Sequence, residues 1–135
     1  MPEKLEKSKE RVRKYGEVYT PEWVVKMMCD NLPSEAWDAD HTILEPTCGN
    51  GNFLVEITRR KMARCRNREE ACKALNTVYG IDLLHDNVQE SRDRMQAVVS
   101  EFFPGLDVSD ILERRIIQGN TLEMLKRKEF EWPCP

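Results

Sequence analysis

The sequence predicts an α/β fold with three parallel strands and helices on both faces of the sheet. Three short apolar runs are typical of buried strands: residues 41–46, 78–83 and 115–120. The stretches between and after the first two runs place apolar residues at helical spacing: 53–62, 67–76 and 86–103. Alternation of strand and helix indicates a parallel sheet with right-handed crossovers.

The chain divides into an arm, a domain and a tail. Residues 1–14 alternate Lys, Glu and Arg, which predicts an exposed or frayed helix docked only through Leu5 and Val12. Residues 15–128 form the predicted domain. No regular element is predicted for the tail, 129–135.

Local signals set the expected helix boundaries. Thr20 is expected to be the N-cap of a helix with Pro21 at its first position, and Pro33 ends that helix. Residues 34–40 are typical of a polar linker. Asn52 is expected to cap the helix that follows the first strand.

Composition excludes several classes of protein. The net charge is −3, so the chain has no basic excess for holding DNA by itself. Its basic cluster, 59–68, is interpreted as a solvated helix face rather than a phosphate-binding surface. The five cysteines are odd in number and irregularly spaced, which favours neither disulfides nor a metal site. With no membrane-spanning run and no secretory signal, we expect a cytoplasmic protein.

The strongest motif lies where the first strand meets its helix. The run Glu45-Pro46-Thr47-Cys48-Gly49-Asn50-Gly51-Asn52-Phe53 places two glycines in a tight loop at that junction. Ligands of open parallel sheets bind beyond the carboxyl ends of the strands, and glycines let the backbone approach them. Asp82 ends the second strand, where its carboxylate can accept hydrogen bonds from ribose hydroxyls. Loop and acid together predict a nucleoside-containing cofactor, either a dinucleotide or S-adenosylmethionine.

Four blocks in order resemble N6-adenine DNA methyltransferases of the γ arrangement, closest to type I and type IIG restriction-modification systems. They are Gly16-Glu17-Val18-Tyr19-Thr20-Pro21, the loop 45–53, Tyr79-Gly80-Ile81-Asp82-Leu83 and Gly119-Asn120-Thr121-Leu122. The resemblance covers about residues 15–125. It implies a partial Rossmann-like methyltransferase fold with S-adenosylmethionine as cofactor.

The resemblance also implies roles for particular residues. Thr20 and the loop around Gly49 would hold the methionine end of the cofactor, and Glu45 would lie near its amino group. Asp82 would take the ribose hydroxyls, Leu83 would lie against the adenine ring, and the side-chain carbonyl of Asn120 would accept from the adenine amino group. The full predicted set is Tyr19, Thr20, Glu45, Pro46, Cys48, Gly49, Gly51, Phe53, Asp82, Leu83 and Asn120. Phe53 is equally well explained as a core aromatic.

The family's transfer chemistry uses an Asn/Asp-Pro-Pro-aromatic block that binds the flipped target base. The sequence contains no such block; the nearest text is Trp132-Pro133-Cys134-Pro135. We therefore expect a truncated chain that is inactive alone and reaches DNA only through a missing or separate catalytic and recognition part.

The resemblance implies a fourth strand beside the first in the complete fold. The sequence contains no run for that strand, so the first strand, Thr42–Glu45, would lie at an open edge of the sheet. The chain is expected to self-associate or to bind a partner polypeptide there, unless the N-terminal arm folds back over the edge. Alternative functions are a non-catalytic module that sequesters cofactor or engages a restriction-modification partner, a remnant kept only as a stable fold and, remotely, an NAD-dependent enzyme.

Overall fold

The computed structural model describes residues 3–127, so the tail predicted at 129–135 lies outside the described residues. Three parallel strands form one sheet in the order β1-β2-β3: β1 (Ile43–Glu45), β2 (Val78–Asp82) and β3 (Ile116–Gln118). Ile43 pairs with Val78, and Gly80 pairs with Ile116. The predicted α/β class with three parallel strands is confirmed.

Seven α-helices and one 3₁₀ turn (Ser34–Trp37) are present among the described residues. The helices are α1 (Lys9–Tyr15), α2 (Glu22–Asp30), α3 (Asn52–Met62), α4 (Arg68–Leu75), α5 (His85–Phe102), α6 (Ser109–Arg115) and α7 (Thr121–Lys126). Helices α3 and α4 connect β1 to β2, and α5 and α6 connect β2 to β3.

The main core lies between α3, α5 and one face of the sheet. Leu54 of α3 and Met95 of α5 are fully buried there with Val78 and Ile116 from the strands. Burying an aliphatic side chain of this size stabilises the fold by about 1.5–3 kcal/mol. This packing holds the loop between β1 and α3 at the carboxyl end of β2.

The opposite face of the sheet is less completely covered. Because side chains alternate along a strand, Leu44, Tyr79, Ile81 and Ile117 share this face. Ile81 is fully buried outside the main core, and its Cγ2 atom and the sulfur of Met124 in α7 converge on Gly119. Helices therefore flank both faces, as predicted, although Leu44 remains 40% exposed.

Strand β1 lies at the edge of the sheet, where within residues 3–127 it pairs only with β2. The N-terminal arm does not cover that edge, because its polar contacts go to α5 and to residues 17–22. Lys7 and Arg11 both bind Asp86 in the first turn of α5. The prediction that the arm docks only through Leu5 and Val12 was wrong, since these ion pairs hold it too.

Two predicted helix starts were wrong. Pro21 has ψ of 148° and is itself the N-cap of α2, and the N–H of Glu22 donates to the carboxylate of Glu3. Helix α3 has Gly51 as its N-cap, so Asn52 is its first residue. The side chain of Asn52 instead donates to the carbonyl of Thr20.

Three short elements were not predicted. The linker 34–40 contains the 3₁₀ turn, which buries Ala36 and Trp37. Helices α6 and α7 have seven and six residues, too few for a clear apolar repeat. Helix α6 buries Leu112, and its C-terminus runs directly into β3.

The basic cluster at 59–68 is paired within the protein. Arg60, Arg64 and Arg66 each form an ion pair at 2.7–2.8 Å with a carboxylate on α2, α3, α4 or the 38–41 segment. Lys61 is fully buried and donates to the carbonyls of Asp38 and His41 and to the Thr77 hydroxyl. The internal ion pairs favour the interpretation of the cluster as a helix face over a phosphate-binding surface, but the expectation that this face is solvated was wrong for Lys61.

Candidate functional site

A cavity of about 520 Å³ opens at the carboxyl ends of the strands. Ten of the eleven residues predicted to contact a cofactor line it: Tyr19, Thr20, Glu45, Pro46, Cys48, Gly49, Phe53, Asp82, Leu83 and Asn120. Its other walls come from residues 15–18, from residues 47–50 and 52 of the loop, from Leu84 and from residues 119–122. The fold thus brings four segments, distant in sequence, around one cavity.

Asp82 fixes the geometry at the end of β2. Its Oδ1 accepts from the N–H of Gly49 at 3.0 Å, and its Oδ2 accepts from the N–H of Leu84 and the side-chain amide of Asn87, each at 3.0 Å. These bonds use three of the four acceptor sites of a carboxylate. The aspartate therefore ties the glycine loop to α5 while it lines the cavity.

Glu45 performs a similar task at the end of β1. Its Oε1 accepts from the N–H of Thr47 at 3.1 Å. Burial raises the pKa of Glu45 above its usual value, although the bond from Thr47 opposes that change. On the far side of the loop, the hydroxyl of Thr121 donates to the carbonyl of Pro46.

The two loop glycines have different surroundings. Gly49 has φ of +54°, and a Cβ there would lie 3.2 Å from the ring of Tyr19, so the ring packs directly on the loop. Gly51 has φ of +97°, and a Cβ would lie 2.9 Å from the Ser91 hydroxyl and 3.0 Å from Ser91 Cα. Gly51 is the one predicted residue that does not line the cavity. It lets α3 approach α5.

The cavity wall formed by residues 15–19 is held by a buried polar network. The hydroxyl of Tyr19 lies 2.9 Å from Asn87 Oδ1 and 3.1 Å from Glu17 Oε1. Burial raises the pKa of Glu17, but bonds from Arg11, Asn87 and Tyr19 outweigh that effect and leave the pKa below its usual value. Burial raises the pKa of the Tyr19 hydroxyl, so Tyr19 stays a neutral donor.

A second set of contacts holds Thr20 against the loop. Asn52 donates to the carbonyl of Thr20 at 2.8 Å and accepts from Arg94 at 2.9 Å. Arg94 also donates to the carbonyl of Asn50 at 2.9 Å. Helix α5 thereby supports both the loop and the segment that precedes α2.

The rim of the cavity is apolar. Val18, Leu83 and Leu122 line it and are 58%, 46% and 73% exposed. Such side chains suit the flat faces of a purine ring. Asn120 is the N-cap of α7, and its side-chain oxygen accepts from the N–H of Glu123 at 3.1 Å. The side-chain oxygen of Asn120 has two acceptor positions, and this bond occupies one of them, so one position remains for the adenine amino group.

The sequence analysis missed three polar residues of α3 and α5 that support the site, Asn52, Asn87 and Arg94. Asn52 was expected to cap α3, but its side chain donates to the carbonyl of Thr20 instead. Asn87 is fully buried, although asparagine is usually exposed. Its burial is not visible in the sequence, where it follows Asp86 in an ordinary helix start.

Neither metal nor thiol chemistry is indicated at this cavity. Within residues 3–127 no group of three potential metal-ligating side chains lies together. The cysteines 29, 48, 65 and 72 are free. Burial and the nearby Asp82 raise the pKa of the Cys48 thiol to about 12, which keeps it protonated and unreactive at neutral pH.

The chemistry of the lining residues fits S-adenosylmethionine. Glu45 offers a carboxylate to a cationic amino group, Asp82 keeps one acceptor site for ribose hydroxyls, and the rim is apolar. Asn50 lines the cavity and has a buried side-chain oxygen without a hydrogen-bond donor, a free acceptor beside it. The volume lies within the range of small-molecule sites, about 300–1,000 Å³.

Fold and cavity define an α/β domain with a ligand site at the carboxyl edge of a parallel sheet. Residues 5–96, about two thirds of the chain, match the family model described as N-6 DNA Methylase, and the chain belongs to this family. Methylation of DNA implies a methyl donor such as S-adenosylmethionine.

The chain is also 27% identical over 99 residues to the type II methyltransferase M.VspI of Vibrio sp. (strain 343). That match covers 73% of this chain and 21% of the relative, so the chain spans about a fifth of its relative's length. No solved structure matches the chain. None of the helices in the described part of the chain has both the length and the apolar character needed to cross a bilayer.

Proposed function

We propose that this chain binds S-adenosylmethionine in the cavity at the carboxyl ends of its strands. In this proposal it is the cofactor-binding portion of an adenine-N6 DNA methyltransferase of a restriction-modification system, acting in the cytoplasm. The observation that supports it most directly is that ten residues predicted from the sequence line one cavity in a member of the N-6 DNA methylase family. Residues 15–128 are proposed to be the binding domain.

The proposed roles follow from the chemistry of each group. Asp82 accepts from a ribose hydroxyl with its remaining acceptor site, and Glu45 attracts the cationic amino group of the methionine end. Leu83 and the other rim residues bury the adenine. Thr20 and Gly49 bound the methionine end, where Tyr19 packs on the loop. The bound cofactor supplies the transferable methyl group; the residues of this chain bind it, orient it and exclude water.

Methyl transfer is proposed to need residues from elsewhere. The printed sequence contains no Asn/Asp-Pro-Pro-aromatic block, and its basic cluster is paired internally. We therefore propose that contact with DNA and with the target adenine comes from a further part of the enzyme. The alternative is a non-catalytic module that binds cofactor or engages a restriction-modification partner.

The edge of β1 is the proposed attachment site for that further part or for a second copy of the chain. This edge strand has open backbone groups, and its central residue, Leu44, is exposed. Leu122 and Leu125 of α7 are further exposed apolar side chains, 73% and 57% exposed. Light scattering at several concentrations tests self-association; a monomer throughout would leave a different polypeptide as the partner.

The decisive experiment is calorimetric titration of S-adenosylmethionine into the wild-type chain and the variant Asp82→Asn. The variant keeps the size of the side chain but replaces one acceptor oxygen by a donor. We expect wild-type binding and a loss of about ten- to hundredfold in the variant, because hydrogen bonds to a charged acceptor are lost. Asp93→Asn is the matched control, since Asp93 is exposed on α5 and does not line this cavity.

The ligand specificity needs its own control. NAD⁺ is titrated in parallel, because a glycine loop followed by a strand-terminal acid also occurs in dinucleotide-binding domains. Binding of NAD⁺ in place of S-adenosylmethionine, or equal binding by wild type and Asp82→Asn, would overturn the proposal.

A further inference from the structure

Asn87 occupies the centre of the polar network that joins the N-terminal arm to the cavity. Its side chain is fully buried at the start of α5. Its Oδ1 lies 2.9 Å from both the hydroxyl of Tyr19 and the ammonium of Lys7. Its Nδ2 donates to Glu17 at 2.6 Å and to Asp82 at 3.0 Å. The hydroxyl of Tyr19 has one proton and also lies 3.1 Å from Glu17 Oε1, so it donates to only one of these two acceptors at a time, whereas the bonds to Lys7, Glu17 and Asp82 each have their own donor hydrogen.

The partners leave only one orientation for this amide. Glu17 and Asp82 are carboxylates, which only accept, and the ammonium of Lys7 only donates. The NH₂ group must face the two acids, and the carbonyl oxygen must face the lysine. A neutral group with two donors thus holds two carboxylates close together without a formal charge of its own.

The arm is held to the same point by charge. Lys7 contacts Asp86 at 2.9 Å and lies 3.6 Å from Glu90, and Arg11 bridges Asp86 and Glu17. The bond from Arg11 holds the pKa of Asp86 well below its usual range. The side chains of Lys7 and Arg11 are only 24% and 22% exposed, so these pairs are partly protected from screening by salt.

We infer that Asn87 is a positioning residue that couples docking of the arm to the orientation of Asp82 in the cofactor cavity. The inference rests on the proposed function, because the coupled event is binding of S-adenosylmethionine. When the arm is docked, Lys7 and Tyr19 fix the amide, and the amide fixes Asp82. When the arm leaves, Asn87 loses the Lys7 donor and its link through Glu17 to Arg11. Reciprocity requires that the cofactor in turn stabilises the docked arm.

The test compares cofactor affinity in wild type, Asn87→Ala and Asn87→Asp between pH 8 and pH 5. At pH 8 the aspartate puts a third carboxylate between Glu17 and Asp82, and affinity is expected to fall about ten- to hundredfold. The two neighbouring carboxylates raise the pKa of the introduced aspartate, so acidification is expected to protonate it, to restore one O–H donor and to close the gap to wild type. Asn87→Ala is expected to bind the cofactor as weakly as Asn87→Asp at pH 8 and to regain no affinity on acidification. This difference separates positioning of Asp82 from a general loss of packing.

Several charged or titratable groups face position 87 from the arm, from residues 17–19, from β2 and from α5. They are Lys7, Arg11, Glu17, Tyr19, Asp82, Asp86 and Glu90. The affinity of each variant is therefore expressed relative to wild type at the same pH, so that titrations common to both proteins cancel.

Hydrogen exchange of the arm provides the second readout. Cofactor is expected to slow amide exchange over residues 5–14 of the arm in wild type and to lose this effect in Asn87→Ala. Lys7→Ala keeps Asn87 in place and is expected to weaken cofactor binding by a smaller factor, which provides a test if the Asn87 variants fold poorly.

Three results are decisive against the inference. Equal affinity of Asn87→Asp and wild type at pH 8, or unchanged weakness of Asn87→Asp down to pH 5, would overturn it and leave the proposed function standing. Amide exchange of the arm at the same rate with and without cofactor in wild type would have the same consequence. Failure of wild type to bind S-adenosylmethionine would instead remove the proposed function and this inference together.

Discussion

Gly51 offers the sharpest test of how the fold holds the cavity loop in place. Its backbone has φ of +97°, a conformation that costs residues with a Cβ about 1–2 kcal/mol. A Cβ at this position would also collide with the Ser91 hydroxyl at 2.9 Å and with Ser91 Cα at 3.0 Å. The second contact is with backbone, so α5 itself has to move.

The two costs add in the variant Gly51→Ala. Overpacking against a helix backbone typically costs about 1–3 kcal/mol. Together with the backbone term, the free energy of unfolding is expected to fall by about 2–5 kcal/mol. This is a large part of the total stability of a small domain, which is about 5–15 kcal/mol.

Gly16→Ala is the matched control. Gly16 also has positive φ, +65°, but a Cβ there would have no atom within 4 Å. This variant is expected to lose only the backbone term of about 1–2 kcal/mol. Urea unfolding followed by circular dichroism measures both variants. A midpoint for Gly51→Ala equal to or above that of Gly16→Ala would refute the argument that α3 and α5 require glycine at this contact.

Three further predictions concern the core, the cavity and a helix cap. Lys61→Met leaves the carbonyl of His41 without its donor and is expected to cost about 1–3 kcal/mol at pH 7 in urea unfolding. Burial lowers the pKa of Lys61 from 10.5 to about 8, so the folded chain binds fewer protons than the unfolded chain between these values. Wild type should therefore gain stability over the variant as the pH rises through that window; a constant difference would contradict this. Binding of S-adenosylmethionine, measured by calorimetry, should weaken on acidification towards the raised pKa of Glu45, and Glu45→Gln should bind weakly without this pH dependence. The side-chain oxygen of Asn67 caps α4 by accepting from the N–H of Glu70 at 2.9 Å. The variant Asn67→Ala loses this cap and should be about 1 kcal/mol less stable in thermal unfolding. An unchanged melting temperature would mean that water replaces the cap.

Local signals in the sequence were enough to predict the framework. The run that became β2 is a short apolar stretch typical of a buried parallel strand, and the run that became α5 is apolar at the period of a helix, which reflects which face is buried. The carboxyl ends of parallel strands lie at the same edge of the sheet. The glycine loop follows the first predicted strand and Asp82 ends the second. Their meeting in one cavity could therefore be predicted before the structure was known.

Short elements were harder to predict because their order depends on contacts rather than on propensity. Helix α6 has seven residues, and its burial of Leu112 and continuation into β3 stabilise it. Helix α2 starts one residue later than expected because the carboxylate of Glu3, nineteen residues away, accepts from its first N–H. A cap from a residue so far away in the sequence cannot be predicted from the residues around the helix start.

By itself, then, the sequence determined the parallel α/β order of strands and helices and the position of the glycine loop and Asp82 at the strand ends. Only the tertiary structure decided that Gly51 faces Ser91 instead of the cavity, and that the arm docks on α5. It alone revealed Asn87 between Glu17 and Asp82, at sequence separations of 70 and 5 residues. The physical reason is that periodicity records which face of an element is buried, whereas the partner of a buried polar group is chosen by packing between distant segments.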